Sequence, residues 1–235
     1  HEKSRGLGDV YKRQDRIGES SLAANISVKL TQLGMGLDDQ LAAESLDQLA
    51  ERAAEVGTTV SVDMEESEYT EATIGIYEGA QRRHGNLGIA VQSYLHRTKR
   101  DLDRLIPLGG HIRLCKGAYA EPESAAVQAG DEVDAQFDSL LALLMQAPGT
   151  KPAIATHDDA RIALAKSLIP VREAPYEFQM LYGVRGPLQR ELVSAGYPLR
   201  IYVPYGVAWY PYLTRRLAER PANLLFFLRA LVGRR

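Results

Sequence analysis

Lys29, Asp63, Gln92, Arg113 and Tyr202 each stand within or at the end of a short run in which apolar and polar residues alternate. Two further arginines, Arg215 and Arg216, follow the last such run, where Tyr212, Arg215, Arg216 and Glu219 share one helical face by i,i+3 and i,i+4 spacing. Gathered in one place, these groups carry a surplus of positive charge. Like charges repel and burial strips them of water, so the cluster demands anions to fill it. A substrate carboxylate or a cofactor diphosphate would serve. Arginine suits both, because its planar fork donates two parallel hydrogen bonds to a single anion. Each residue also has an ordinary reading. Lys29 alone is a snorkelling surface lysine, the run Asp63–Met64–Glu65–Glu66 a solvated acidic loop, and the arginines with Glu219 a surface ion pair of small worth. His157, in Ala-Thr-His-Asp, could cap the helix that follows, with Asp158 as the better cap. Their common place at the C-terminal ends of strands lifts them above that background.

The elements that must position them are legible as repeating units. Strand-like runs occur at Ile26–Leu30, Thr58–Asp63, Gly88–Tyr94, His111–Lys116, Ala153–His157, Tyr176–Leu181 and Leu199–Val203. Amphipathic stretches such as Asp38–Val56, Thr70–His84, Val133–Gln146 and Asp158–Leu168 lie between them. Repeated βα units predict an α/β fold with a parallel sheet, either doubly wound or a (β/α)8 TIM-type barrel. The strand pattern selects the barrel. Ile26 and Val28 oppose Ser27 and Lys29; Val60 and Val62 oppose Thr59, Ser61 and Asp63; Ile112 and Leu114 oppose Arg113. Phe178 and Met180 oppose Glu177, Gln179 and Leu181, and Ile201 and Val203 oppose Arg200 and Tyr202. A sheet covered on both faces reads as unbroken apolar runs. Here one face is apolar, to meet helices, and the other is polar, to line a barrel mouth. A barrel of this type has eight strands, and the runs above are one short. Asp15–Leu22 has the character of a helix tail, so the sequence is expected to be an N-terminally truncated barrel spanning 15–235. Residues 1–14, charged, with two glycines and without apolar periodicity, are expected to be a leader outside the fold.

Composition closes off other classes. Of 235 residues, 45% are hydrophobic and 25% charged, the balance of an ordinary globular protein. A net charge of −2 gives no basic face, so nucleic acid is not an expected partner. The single cysteine, Cys115, excludes an internal disulfide, and no apolar run is long enough to cross a bilayer. The five histidines are scattered without metal-ligand spacing, so no metal is expected. No Gly-x-Gly-x-x-Gly opens a helix, which removes a Rossmann site. Lys116-Gly117-Ala118-Tyr119 follows a strand and could offer backbone N–H groups to a phosphate.

At these residues the sequence resembles the proline dehydrogenase family, most closely its short monofunctional bacterial type. The resemblance rests on SVKLTQLG, DMEES-YTEAT, QSYLHRT, RLCKGAYAEP, ATHD, YEFQMLYGVR, RIYVPYG and YLTRRLAERPANLLFFLR, in that order from Asn25 to the C-terminus. It implies a flavin-dependent (β/α)8 barrel, with its last helix over the mouth, that oxidises L-proline to 1-pyrroline-5-carboxylate. By motif position it implies that Lys29, Arg215 and Arg216 bind the proline carboxylate and that Asp63 and Arg113 are catalytic. Tyr202, Leu181 and Tyr212 would enclose the ring. Met64, Gln92, Arg113, Lys116, Gly117, Ala118, Thr156, His157 and Gln179 would contact the flavin, FAD or alternatively FMN. Ala120 departs from the long bifunctional relatives, which carry tryptophan there. By the same resemblance, the tyrosine at Tyr202 implies proline rather than hydroxyproline as substrate. The resemblance further implies a membrane quinone as electron acceptor and a cytoplasmic protein, either free or peripheral at the inner face of the membrane. The apolar tail Asn223–Val232 would pack on the barrel or touch a bilayer. A barrel isomerase or aldolase for a phosphorylated substrate would also want a cationic mouth, and a fragment lacking its first strand would be inert.

Overall fold

In the computed structural model, residues 2–20, 22–172 and 174–204 are described. Seven strands follow in order: β1 Ile26–Val28, β2 Val60–Val62, β3 Leu87–Gln92, β4 Gly110–Cys115, β5 Thr150–Ala155, β6 Glu177–Leu181 and β7 Leu199–Tyr202. All neighbours pair in parallel, and the order in the sheet is the order in the chain. They coincide with the seven predicted runs. Eight α-helices accompany them among the described residues: α1 Glu2–Ser20, α2 Leu30–Leu33, α3 Asp39–Glu55, α4 Thr70–His84, α5 Thr98–Leu105, α6 Gly130–Gln146, α7 Asp159–Leu168 and α8 Gly186–Ser194. Four match the predicted amphipathic stretches. The caps show why those begin and end where they do. The Asp38 carboxylate accepts the Leu41 N–H to start α3, and Asp158 accepts the N–H groups of Ala160 and Arg161 to start α7. Gly85 closes α4 at φ +70°, a left-handed conformation that costs glycine little.

The apolar half of the alternation is buried in β1, β2, β4 and β6, whereas in β7 Ile201 is half-buried and Val203 beyond it is exposed. Val28, Val60, Val62, Ile112, Leu114, Phe178 and Met180 enter one apolar core with Leu46, Leu49, Ile74, Leu102, Phe137 and Leu141 of the helices. At about 1.5–3 kcal/mol for each fully buried aliphatic side chain, this layer holds the sheet in register, because a one-residue slip would turn every apolar side chain to the other face. The opposite face is drawn together by its own polar groups. Arg113 of β4 reaches Ser27 of β1 at 3.3 Å, and Tyr202 of β7 reaches Asp63, just beyond β2, at 3.0 Å. Neither pair is adjacent in the ladder, so the sheet must curl until its polar face looks at itself.

One expectation holds in its coarser form and one is corrected. The described residues form an α/β fold with a curled sheet of seven parallel strands, the number counted in the sequence. β1 and β7 share no ladder, and the gap is spanned by Arg200, whose Nη1 donates to the Ala23 carbonyl at 3.2 Å and to Asn25 Oδ1 at 3.3 Å. The stretch 1–14 was set apart for its charge, yet its described part is helical. Leu7, Val10 and Tyr11 of α1 pack on the core, and Gln14 is buried with its Nε2 donating to the Leu49 carbonyl at 2.8 Å. The glycines hid a helical period that the apolar residues, read with Ile17, supply.

Candidate active site

The polar face is organised around one carboxylate. Asp63 leaves β2 at its C-terminal end and is 9% exposed. It accepts hydrogen bonds from Ser27 Oγ at 2.5 Å, from Tyr202 Oη at 3.0 Å and from the Arg113 guanidinium. Lys29, the residue between β1 and α2, brings its Nζ to 3.9 Å from Asp63 Oδ2. Burial pushes the Asp63 carboxyl up, but the charges of Arg113 and Lys29 and the bonds from Ser27 and Tyr202 outweigh it, so the carboxyl is held below its ordinary value. Burial pulls the Arg113 guanidinium down, and Asp63 more than restores it. Both groups are therefore ionised, and the guanidinium carbon also lies 5.4 Å over the Tyr202 ring. Two cations face one anion here. The surplus positive charge at Lys29 fits a further anion.

A second layer lies deeper in the curl. Arg113 Nε donates to Gln179 Oε1 at 2.7 Å, and Gln179 Nε2 donates to Glu177 Oε1 at 2.7 Å. Glu177 is clamped by Arg200, Nε to Oε1 at 2.7 Å and Nη2 to Oε2 at 3.1 Å, with Lys151 at 3.7 Å and His111 at 3.3 Å. Burial pushes Glu177 up, while the bonds from His111, Arg200 and Gln179 hold it far below the ordinary carboxylate range. Sequence reasoning placed Ser27, Glu177 and Arg200 on the polar face without selecting them. The signal was present, since each has the same parity as a selected residue.

The structure thus brings together Lys29, Asp63, Arg113, Tyr202 and Gln179. Gln92 is buried nearby on β3, its Nε2 donating to the Glu65 carbonyl at 2.8 Å. Leu181 ends β6 beside Tyr202 of β7. Thr156 and His157 follow β5. His157 Nε2 accepts the Leu181 N–H at 3.0 Å, and burial together with the Arg185 charge lowers the imidazole to about 4. It is a neutral tie between the ends of β5 and β6. Gly117 turns at φ +129°, where a Cβ would meet the Tyr94 ring at 2.3 Å, and Ala118 beside it is half-buried. Met64 sits in the apolar core. The acidic run is not a solvated loop: Asp63 and Glu65 are buried, and Glu65 accepts both N–H and Oγ1 of Thr31, at 3.1 and 2.6 Å. Lys116 does not join the Asp63 cluster. Its ammonium is engaged by Asp134 and by Asp158 Oδ2, the latter at 2.8 Å. Tyr212, Arg215, Arg216 and the tail Asn223–Val232 lie outside the described residues. Among the described residues no cluster suits a metal ion, and no helix is long and apolar enough to cross a membrane.

A parallel sheet curled around a paired carboxylate and guanidinium at its strand C-termini defines a class of α/β enzyme whose chemistry sits at the sheet mouth. Comparison with known proteins narrows it. The sequence profile described as proline dehydrogenase matches residues 5–229. Proline dehydrogenase 1 of Bacillus subtilis is 39% identical over 227 residues, covering 95% of this chain and 75% of that protein. Proline dehydrogenase of Deinococcus radiodurans is 32% identical over 232 residues, covering 95% and 74%. The chain belongs to the proline dehydrogenase family, a family of oxidoreductases. Among solved structures, proline utilization A of Bdellovibrio bacteriovorus inactivated by N-propargylglycine superposes with a TM-score of 0.84 at 22% identity, covering 92% of this chain and 28% of that one. At that identity the likeness speaks for the fold alone, and the chain spans little more than a quarter of the longer protein.

Proposed function

We propose that the chain oxidises L-proline to 1-pyrroline-5-carboxylate with a flavin, FAD in the first instance. The observation that carries this reading is the charge imbalance around Asp63, where Arg113 and Lys29 face one carboxylate. An amino-acid carboxylate at Lys29 would complete the neutralisation. In this reading Arg215 and Arg216 share that carboxylate, and Tyr202, Leu181 and Tyr212 enclose the ring. The same reading takes α1 and the curled sheet as parts of one domain, with the sheet as the greater part of a (β/α)8 barrel.

The residues present fit a flavin. Arg113 and Gln179 offer a charged fork and an amide in one buried plane of hydrogen bonds, and Gln92, Met64, Thr156 and His157 stand at adjoining strand ends. Lys116, Gly117 and Ala118 form the turn after β4 that would face the phosphates. Lys116 would have to exchange its two carboxylates for them, at small net cost because the ammonium is partly solvated. When bound, the flavin supplies the acceptor for the hydride leaving the ring carbon next to nitrogen, and a membrane quinone takes the electrons onward from the cytoplasmic side.

The chain's own side chains do the positioning. Lys29 binds the carboxylate and so fixes the ring, removing rotational freedom before the reaction. Asp63, ionised and held by three donors, keeps Lys29 and Arg113 apart at fixed places. Tyr202 donates a hydrogen bond to Asp63 and carries the Arg113 guanidinium over its ring, so the rest of the ring would serve as the apolar wall. Above the pKa of the substrate amine, the neutral nitrogen lone pair drives the oxidation, and the cationic surroundings of Lys29 and Arg113 favour that deprotonated amine. The test is the visible spectrum of the purified protein before and after anaerobic addition of L-proline. A flavin band that bleaches is expected. A protein without that band, or with a band proline leaves unchanged, refutes the reading.

A further inference from the structure

Glu177 lies below the cluster already described and touches neither Asp63 nor Lys29. An ordinary account would make it half of a structural ion pair with Arg200. The Gln179 amide gives it a second consequence. An amide side chain has a donating end and an accepting end, which a half-turn exchanges. A carboxylate only accepts, so it can face only the Gln179 Nε2. That leaves Oε1 directed at the Arg113 Nε, where it accepts at 2.7 Å. In the reversed orientation Oε1 would oppose the carboxylate and the amide N–H groups would oppose the guanidinium. Both contacts would be repulsive in a site where low dielectric magnifies them. The Nε bond in turn sets the plane of the guanidinium, and with it the fork that meets Asp63 and the stacking over Tyr202.

We propose that Glu177 is a positioning residue that fixes Arg113 through the Gln179 amide, so that the anion at the floor of the curled sheet sets the geometry of the arginine at its mouth. The three bonds run in one line, Glu177 to Gln179 to Arg113 to Asp63, across β6, β4 and the end of β2. Glu177 stays ionised because Arg200 grips both of its oxygens and Lys151 adds to the pull. Arg200 is itself anchored on Ala23 and Asn25 across the gap between β7 and β1. The relay is therefore tied to the closing of the curl.

The inference rests on the proposed function for its kinetic consequence and on geometry alone for its structural one, so two readouts are needed. In protein carrying 15N-labelled arginine, the Arg113 Nε–H signal, assigned by its loss in Arg113→Lys, should exchange slowly with solvent. In Glu177→Gln, whose amide can face Gln179 with either end, that exchange should be at least about tenfold faster, as it should in Gln179→Met. In steady-state proline oxidation Glu177→Gln should lower kcat by on the order of tenfold to a hundredfold, the scale of a misplaced catalytic group, with KM for proline changed less than about twofold. In the Gln179→Met background Glu177→Gln should lower kcat no further, because the link is already cut. Glu177→Gln leaves Arg200 facing a neutral group. If it does not fold, Glu177→Gln with Arg200→Gln carries the same test. The proposal is overturned if Glu177→Gln leaves the Arg113 exchange as in the wild type, or if it lowers kcat by the same factor in both backgrounds. Slow exchange lost on Glu177→Gln, in a wild-type protein that does not oxidise proline, would uphold the relay and sink the function.

Discussion

Replacing Asp63 by asparagine keeps the shape of the side chain and removes the one negative charge of the cluster. Asp63 and Arg113 are 12% and 11% exposed at their side chains, so the pair belongs with buried ion pairs rather than surface ones. Removing one partner of such a pair costs about 3–5 kcal/mol, because the other charge stays buried without compensation. Asparagine can still accept from Ser27 or from Arg113, which argues for the low end, about 3 kcal/mol. For a chain of this length each kcal/mol moves the midpoint by about 2–4 °C, so Tm should fall by roughly 6–12 °C. The pH dependence follows from the same bonds. Burial pushes the Asp63 carboxyl up, yet Arg113, Lys29, Ser27 and Tyr202 hold it below its unfolded value. Its contribution is thus complete above the unfolded pKa of about 3.9 and is lost as pH falls through the lower folded value. Asp63→Asn should flatten the acid limb of the stability curve below about pH 4. The flattening should be partial, since Glu177 and Asp158 are also held down. Differential scanning fluorimetry from pH 3 to 7 measures both effects. A variant with the wild-type Tm and the wild-type acid limb would refute the placing of Asp63 as the buried counter-charge.

Three other outcomes are expected. His157 is lowered to about 4, below its unfolded value of about 6.5, so its neutral form contributes fully above pH ~6.5 and the contribution shrinks as pH falls towards 4; His157→Ala should remove that slope and speed hydrogen exchange at the Leu181 amide, which a pH-dependent exchange series detects. Gly117→Ala meets both a left-handed φ and the Tyr94 ring, whereas Gly149→Ala, at φ +80° with open space around it, meets only the first; Gly149→Ala should cost about 1 kcal/mol and Gly117→Ala clearly more, as read from urea midpoints. Arg161 joins Asp134 and Asp138 of α6 to Asp158, the cap of α7; Arg161→Met should cost about 1.5–3 kcal/mol, the scale of hydrogen bonds to charged groups, in chemical denaturation.

Five of the seven strands were legible because one face is apolar and the other polar, a period of two that no helix produces. Phe178 and Met180 against Glu177 and Gln179 show it most plainly, and the helices α3 and α7 were marked by Asp38 and Asp158 at their starts. Lys29, Asp63, Arg113 and Tyr202 could be placed on one face by parity, and they meet there. What parity does not give is distance across the curl. Taken alone the run Asp63–Met64–Glu65–Glu66 has the ordinary reading of a solvated loop, while Thr31, 34 residues from Glu65 in sequence, supplies both donors that let Glu65 be buried. Nor does parity show that Asp134 and Asp158 come from two other elements to engage Lys116. α1 was misjudged for the same reason, since Gln14 is buried only because the Leu49 carbonyl on α3 faces it.

These misses share one physical cause, and it bears on how the site works. Along a strand the sequence fixes which face a side chain takes, but a polar group inside the curl is stable only when a partner from another strand meets its unpaired donors and acceptors. Ser27, Glu177 and Arg200 carry little signal alone because serine, glutamate and arginine are ordinary surface residues. Inside the curl they become obligatory, since each satisfies a group that water cannot reach: Ser27 a lone pair of Asp63, Glu177 the Gln179 amide, Arg200 the Glu177 carboxylate. Removing any one leaves a partner unsatisfied, at about 1–3 kcal/mol for a neutral group and more for a charged one. In this lattice Asp63 answers Arg113 and Glu177 answers Arg200, which leaves Lys29 as the cation at the mouth that can take a further anion. Binding an anion at Lys29 should therefore stabilise the fold as well as start the reaction, and L-proline or a non-oxidisable cyclic carboxylate should raise Tm in a concentration-dependent way.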